Sequence, residues 1–584
     1  MAKEEKPAGP FTLALLALLV GIIAGFGAVI FRHLIGFFHN LFFLGKFDST
    51  YIANIHTPPS PWGALIILVP VIGAVGVSFL IVRYAPEAKG HGVPEVLDAT
   101  YYHKGAIRPI VAVIKSIASS LSIGSGGSAG REGPMVQIGA SFGSTVGQFL
   151  RLPAWQTVTL IAAGGGGGIA ATFNTPLGGL LFAVELMMQE VSVRTMVPVV
   201  ISTVTATYIG QYFFGTHPAF VIPSLEIQFF KLGTPISALF YILLGLILGA
   251  ASALFIRTLY LTEDLLERFI KKNYYLRHAF GMLIVGITIY SLYVFSGHYH
   301  VEGVGYASIQ DILEGAHTGF LFLLVLFTLK LIATSLTLGS GGSGGILSPS
   351  LFMGAAIGGA YGALLEHLFP GLGITPPPFA VAGMAGMIGG ATGAAIMPIV
   401  MIFEMTLDYS VMVPMVTTVI ISYGTRKLLS KDSIYTLKLT RIGHNVPEAL
   451  KADFTQLKKA RDIMDNNVSK IPAGTALKDF ALIALNQKEV IWYVIEQKKT
   501  AAGIISRMHA LNAIGPEGGD TLVENVAEKD YILVRPTDLA LDIYEVMNSK
   551  KAALALVTEK KVPPAPEEIM GVITSDRVKW AVGG

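Results

Sequence analysis

Cysteine is absent from all 584 residues, which removes disulfide frameworks, thiolate metal sites and cysteine nucleophiles. Charge is scarce. Asp, Glu, Lys and Arg make up 14% of the chain, against about 25% in an ordinary soluble domain. With 42 Lys+Arg against 39 Asp+Glu the formal net charge is +3, too small for a nucleic-acid binder that works by bulk charge. The scarcity is also uneven. Residues 441–584 hold 38 charged residues, 26% of that stretch, whereas the first 440 residues hold the other 43, or 10%. A single soluble globule and a disordered chain are both excluded. The first part is membrane-like and the second soluble-like. The nucleotide-binding pattern GxxxxGKS/T and the zinc-protease pattern HExxH are missing as well, and the chain reads as a transporter rather than an enzyme.

What is abundant is apolar sequence: the hydrophobic set is 52%, with 65 glycines besides. Runs long enough to span a bilayer cover 11–31, 62–82, 196–214, 236–255, 279–295 and 320–338. The first is too long for a signal-peptide core and lacks a small-residue cleavage pattern. Shorter glycine-rich apolar runs lie around 134–150, 158–188, 350–364 and 379–405. Broken helices at membrane depth are tolerated where their free backbone groups face protein or a water-filled path, and in transporters their termini point at the ion. Arg83, Lys89, Lys104 and Arg108 flank one loop. Arg268, Lys271, Lys272 and Arg277 fill another, and Arg426, Lys427, Lys431, Lys438 and Arg441 lead into the charged tail. The positive-inside rule makes all three cytoplasmic, together with residues 1–10 and the tail. The expected location is the cell (plasma) membrane, crossed many times.

Residues 115–143 repeat at 330–358. The offset is 215, 15 of 29 positions are identical, and the string GSGGS recurs at 124–128 and 339–343. A second echo sets Glu185 against Glu404. The membrane part is a duplicated unit, read as repeats over about 11–214 and 235–430 within 11–441. Glycine-interrupted segments at matching positions point to a binding site between repeats; the plain alternative is glycine for close helix packing alone. The tail, 442–584, holds a weaker repeat over about 456–511 and 526–584. Each copy has an amphipathic helix pattern (477–485 and 539–547), an alternating apolar strand and a glycine-led strand.

Gly130-Arg131-Glu132-Gly133-Pro134, set in GSGGSAGREGP, resembles the GREGP signature of the CLC family of chloride channels and proton/chloride exchangers. Gly90-His91-Gly92-Val93-Pro94 resembles that family's GSGIP motif with His for Ser, and Gly345-Ile346-Leu347-Ser348-Pro349 its GxFxP motif with Leu for Phe. Tyr435 falls where the family has a pore tyrosine. The resemblance covers about 10–440 and implies an all-α polytopic membrane protein of two inverted repeats with about eighteen helices. It also implies a homodimer with one ion path per subunit. The tail resembles a pair of CBS motifs, a small α+β cytoplasmic domain.

A chloride ion that leaves water is held without being trapped by partial charges, such as the N–H groups of helix N-termini and glycine-rich turns. The resemblance implies chloride contacts at His91, Arg131, Glu132, Gly133, Ile346, Leu347 and Tyr435, with chloride as a bound ion and no cofactor or metal. Glu132 is the candidate gate and proton acceptor: an intramembrane carboxylate can plug an anion site when charged and leave it when protonated. The plainer reading pairs it with Arg131. His91 either gives the inner site a titratable donor or points into its loop. Tyr435 is either a pore hydroxyl or an interfacial anchor.

Exchangers of the family often carry a Glu-Glu pair for the inner proton site. Here the pair reads Glu185-Leu186. A leucine carries no proton, so the sequence leans towards a voltage- or pH-gated chloride channel, with the proton-coupled chloride antiporter as the alternative. The partners expected are chloride, protons and the lipid bilayer, with no nucleic acid. In the tail, Ser506 is followed three residues on by His509 and Thr574 by Arg577, where a nucleotide-binding CBS motif carries an acid. The tail therefore reads as a packing module rather than a nucleotide site. His298 and His300 lack the further ligands of a metal site.

Overall fold

Prolines and glycines punctuate long apolar helices. A computed structural model describes residues 7–584 apart from 190, 221–234, 272, 318, 445, 447–458, 488, 498–499, 515–518, 539, 560–563 and 584. The basic-loop residue Lys272, most of the first ten residues and the start of the first tail repeat thus lie outside the described residues. The chain divides into two compact units, Met1–Leu450 and Lys451–Gly584.

The first unit is all helical. In chain order its helices are α1 (Pro10–His39), α2 (Val69–Tyr84), α3 (Val93–Tyr102), α4 (Ile110–Gly124), α5 (Glu132–Leu150), α6 (Ala154–Phe173), α7 (Pro176–Phe182) and α8 (Val193–Phe214). The second half continues with α9 (Pro235–Phe269), α10 (Tyr274–Ser296), α11 (Tyr306–Leu313), α12 (Phe320–Gly339) and α13 (Leu347–Leu368). It closes with α14 (Pro376–Thr392), α15 (Met397–Thr406), α16 (Met412–Leu429) and α17 (Thr436–Arg441). That is seventeen among the described residues. Pro opens α1, α2 and α7 at the first turn, where its missing N–H costs nothing. A Ser192/Thr195 capping box starts α8.

Among the described residues seven helical segments are long and apolar enough to cross a membrane, by length and composition. Six match the apolar runs of the sequence. The seventh, Leu347–Leu368, was read only as a short glycine-rich run. Its best window has a mean hydropathy of 1.2, against 2.8 for Pro10–Leu44, and 78% of that window is buried within the protein. A helix wrapped in protein needs less lipophilic side chains than one that faces lipid.

The repeat is visible in packing. A Cβ on Gly139 of α5 would lie 2.1 Å from the Gly164 carbonyl oxygen of α6. A Cβ on Gly354, its mate in α13, would lie 2.3 Å from the Gly383 oxygen of α14. Both glycines allow helix backbones to touch.

In the second unit β1 (Val468–Pro472) pairs parallel with β2 (Trp492–Gln497), which pairs antiparallel with β3 (Thr500–Ser506). β4 (Tyr531–Val534), β5 (Leu554–Thr558) and β6 (Ile569–Thr574) repeat that topology. Helices Leu477–Asn486 and Ala540–Lys550 precede the second strand of each copy. Val494, Ala501 and Ile504 of one sheet share a core with Leu554, Leu556, Ile569 and Val572 of the other.

Candidate functional site

The segments that follow the two GSGGS strings meet within the first unit. The Gly130 N–H donates to the Gly345 carbonyl at 2.7 Å and the Gly345 N–H returns to Gly130 at 2.6 Å. The Gly90 N–H donates to Gly342 at 2.9 Å. Three glycine-rich turns, each leading into a helix, are thereby stitched together: 90–92 into α3, 130–131 into α5 and 342–346 into α13. The approach leaves no room for side chains. A Cβ on Gly133 would lie 2.2 Å from the His91 carbonyl oxygen.

Glu132 is wholly buried, and its carboxylate lies at the N-terminus of α13. Oε2 accepts from the Ser348 N–H at 3.2 Å, and Oε1 accepts from the Tyr306 hydroxyl at 2.8 Å and from the Ser348 hydroxyl. An anion at this helix start is favoured by the free N–H groups and by the helix dipole. Arg131 does not neutralise it: its guanidinium lies 5.1 Å from the Tyr306 ring centre and 5.9 Å from that of Phe173, and donates to the Thr172 carbonyl. No ion pair joins Arg131 to Glu132 among the described residues. Ile346 caps α13 and Leu347 opens it. Tyr435 is 1% exposed, so it is not an interfacial anchor. Its ring centre lies 5.7 Å from that of His91.

His91 is 3% exposed and lines a cavity with Lys89, Tyr260, Glu263 and Lys438. Lys89 and Lys438 come from two of the basic segments that the charge rule assigns to one and the same face of the membrane. Both lysines are paired, Lys89 with Glu263 at 2.8 Å and Lys438 with Glu95. Glu185 spends its carboxylate on structure: it accepts from Ile396 N–H at 2.9 Å and Met397 N–H at 2.8 Å, capping α15. Leu186 packs half-buried against the main core.

Sequence reasoning missed three groups. Tyr306 was not singled out at all. Lys115 and Lys330 are wholly buried and hold loop carbonyls, Lys115 those of Ala88 and Gly90, and Lys330 those of Val301 and Gly303. A lone lysine at the same place in both repeat copies was the available signal. Glu404 caps α7 through the Leu177 and Gly178 N–H groups, the counterpart of Glu185. The strings Gly126–Gly130 and Gly341–Gly345 each read GxSxG, the nucleophile pattern of many hydrolases. Ser128 bonds Thr334, however, and Ser343 bonds Ser119 and the Ala88 carbonyl, so neither hydroxyl meets a histidine. The loop residues His298 and His300 cluster with His56, His317 and Asp311 of α11, with Asp311 2.6 Å from His56 and 3.2 Å from His317. Among the described residues no group of three His, Cys, Asp or Glu is arranged to hold a metal ion.

A family model described as voltage gated chloride channel matches residues 73–427. The chain belongs to the CLC family. It is 30% identical over 440 residues to an H(+)/Cl(−) exchange transporter ClcA of Yersinia pestis bv. Antiqua, covering 74% of this chain and 88% of that protein. To a ClcB-like chloride channel protein of Ralstonia nicotianae it is 33% identical over 388 residues, 65% of this chain and 86% of the other. The crystal structure of a slow cyanobacterial Cl−/H+ antiporter shares the fold, with a TM-score of 0.63 at 23% identity over 75% of this chain and 99% of that one. CLC-type chloride transport is thus the coarse activity, and the GREGP segment lies in the part the family model matches.

Proposed function

We propose that this CLC protein exchanges chloride for protons, with Glu132 as both gate and outer proton acceptor. The observation that carries the reading is the Glu132 carboxylate itself, fully buried and accepting at the N-terminus of α13. A site that binds a carboxylate through N–H and O–H donors binds chloride by the same means. The two anions then compete, and protonation decides the contest by removing the carboxylate's charge. The remaining chloride contacts are assigned to Gly133, Ile346, Leu347, Tyr435 and His91, with Arg131 as a field-shaping cation. The exchanger name of the ClcA relative supports coupling over the channel towards which Leu186 leans. The ClcB-like relative and Leu186 itself favour the channel as second reading.

The test is the reversal potential of purified protein in liposomes under opposed chloride and proton gradients. Exchange displaces it from the chloride Nernst value in proportion to the pH gradient, and Glu132→Gln abolishes that displacement while chloride still passes. A wild-type potential that stays on the chloride value makes the protein a channel. Loss of all chloride flux in a folded Glu132→Gln variant removes Glu132 from the gate.

A further inference from the structure

Exchange needs a proton-binding group at the inner end of the path, and neither Leu186 nor the capping carboxylate of Glu185 supplies one. The inner cavity does contain such a group. Tyr260 donates its single hydroxyl proton to the Ile434 carbonyl at 2.6 Å, and its oxygen lies 3.4 Å from Nε2 of His91. A carbonyl can only accept, so the Tyr260 proton is committed there. The Tyr260 oxygen must then accept from His91, which places the ring hydrogen on Nε2. Nδ1 is left with a lone pair. It is buried, and no described group lies within hydrogen-bond reach of it.

A lone pair repels an anion. A serine hydroxyl at this place would donate to chloride at any pH, whereas His91 donates from Nδ1 only as the imidazolium. Conversely, an imidazolium here would bury an unsatisfied N–H unless an acceptor arrives, and chloride is such an acceptor. Proton and chloride thus need each other at His91. The charged groups around the ring leave the mutual dependence intact. Lys438 of α17 is engaged by Glu95 of α3, Lys89 by Glu263 of α9, and Lys115 of α4 by the Ala88 and Gly90 carbonyls. Tyr435, on the remaining side, is neutral.

We propose that His91 is the inner proton-binding group of the transport cycle, and that a proton on His91 Nδ1 and a chloride at the inner site are held together, whichever side the chloride came from. A hydronium ion at the inner mouth supplies the proton: its O–H bond breaks and leaves neutral water as the Nδ1–H bond forms, and that N–H donates to the chloride at the site. This inference rests on the exchange reading for its place in the cycle, but its test does not use transport.

The experiment is calorimetric titration of chloride into detergent-solubilised Glu132→Gln protein, where the gate carboxylate no longer titrates. It is run near neutral pH, about 7.5, where an ordinary imidazole is mostly deprotonated, in two buffers of different ionisation enthalpy. The buffer-dependent heat should report uptake of close to one proton per chloride bound at the inner site, with affinity rising as pH falls. Adding His91→Ser should remove the uptake and flatten the pH dependence while chloride still binds. Chloride binding without proton uptake in Glu132→Gln protein overturns the proposal, and this arm requires no change at His91. Uptake that survives His91→Ser also overturns it. Either result leaves the reversal-potential test of exchange untouched, and a channel-like reversal potential with intact uptake would leave the His91 chemistry standing without its role in exchange.

Discussion

Replacing Tyr306 by Phe tests how the gate carboxylate is ranked against chloride. The Glu132 carboxylate accepts from three donors: the Tyr306 hydroxyl, the Ser348 hydroxyl and the Ser348 N–H. Phe removes one of them and keeps the ring. Its packing is largely retained, with Arg131 5.1 Å above the ring centre and Phe220 edge-on at 5.2 Å. A hydrogen bond to a charged group contributes roughly 1.5–3 kcal/mol, which is about a tenfold to hundredfold change in an equilibrium. Ser348 still donates twice, so the lower end is the better expectation. The variant should bind chloride at the outer site about tenfold more tightly, because the competing carboxylate has lost about 1.4 kcal/mol of its hold. Chloride titration by calorimetry, with efflux from liposomes at neutral pH as companion, measures it. Efflux should rise where gate opening limits the rate. An affinity unchanged within about twofold, in a variant that remains folded, would refute the idea that this hydroxyl favours the carboxylate over chloride.

The loop histidines predict a fold that loses stability in acid. Burial pushes His300 down to about 3 and shifts His298 in the same direction. A base whose folded value lies below its unfolded value of about 6.5 adds stability above that pH. That stability is lost as pH falls from about 6.5 towards 3, because only the unfolded chain takes up the proton. Burial opposes charge on Asp311 as well, but hydrogen bonds from His317 and His56 outweigh it and hold that carboxyl below its usual range. Its share is therefore lost only in stronger acid. Thermal unfolding in detergent should show a midpoint that falls between about pH 6.5 and pH 4.5, less steeply in His300→Gln; equal slopes would contradict the assignment. In the tail, Ser506 Oγ accepts from the His509 N–H at 3.1 Å and Thr574 Oγ1 from the Arg577 N–H at 3.3 Å. Both hydroxyls cap helices, and the residue that follows is no acid. ATP, AMP or a cyclic dinucleotide at sub-millimolar concentration should leave the melting temperature of the full chain unchanged, and a clear rise would make the tail a nucleotide site.

The glycine-rich turns were legible in the sequence because they are demands on the backbone. Where three chain segments touch at 2.6–2.9 Å, only certain residues fit, and the same string recurs in both copies. Glu132 was legible because a carboxylate in an apolar run has few plain uses. Tyr306 was not, because its partners, Glu132 and Ser348, are far away in sequence and a tyrosine at a helix start is common. The span Leu347–Leu368 was underread because the glycines, alanines and serines that suit a helix buried in protein interrupt its apolar run. The strand Val468–Pro472 was missed because five residues of mixed polarity carry no period to count, and Tyr531–Val534 because a four-residue apolar run is too short to tell a strand from a helix segment.

The duplication accounts for the frame of the path, and its divergence for the chemistry. Ser119 bonds Ser343 and Ser128 bonds Thr334. At an offset of 215, Ser119 corresponds to Thr334 and Ser128 to Ser343, so these are one contact made twice, each copy reaching into the other. Glu185 caps α15 while Glu404 caps α7, again one contact made twice. Lys115 and Lys330 hold the loops that carry Gly90 and Gly305, which share a φ of +78°. Each of those glycines is followed by a side chain at the path, His91 in one copy and Tyr306 in the other, and here the symmetry ends. Glu132 corresponds to Leu347 and Gly133 to Ser348. A symmetric frame with identical groups at both ends would bind an anion equally from either side and would give a proton no preferred station. The frame instead carries a carboxylate beside a tyrosine at one position and an imidazole beside Tyr260 at the other. On the proposed reading Glu132 and His91 are the two proton-binding groups, and because they stand at positions the repeat does not make equivalent, the symmetric frame carries two chemically different stations.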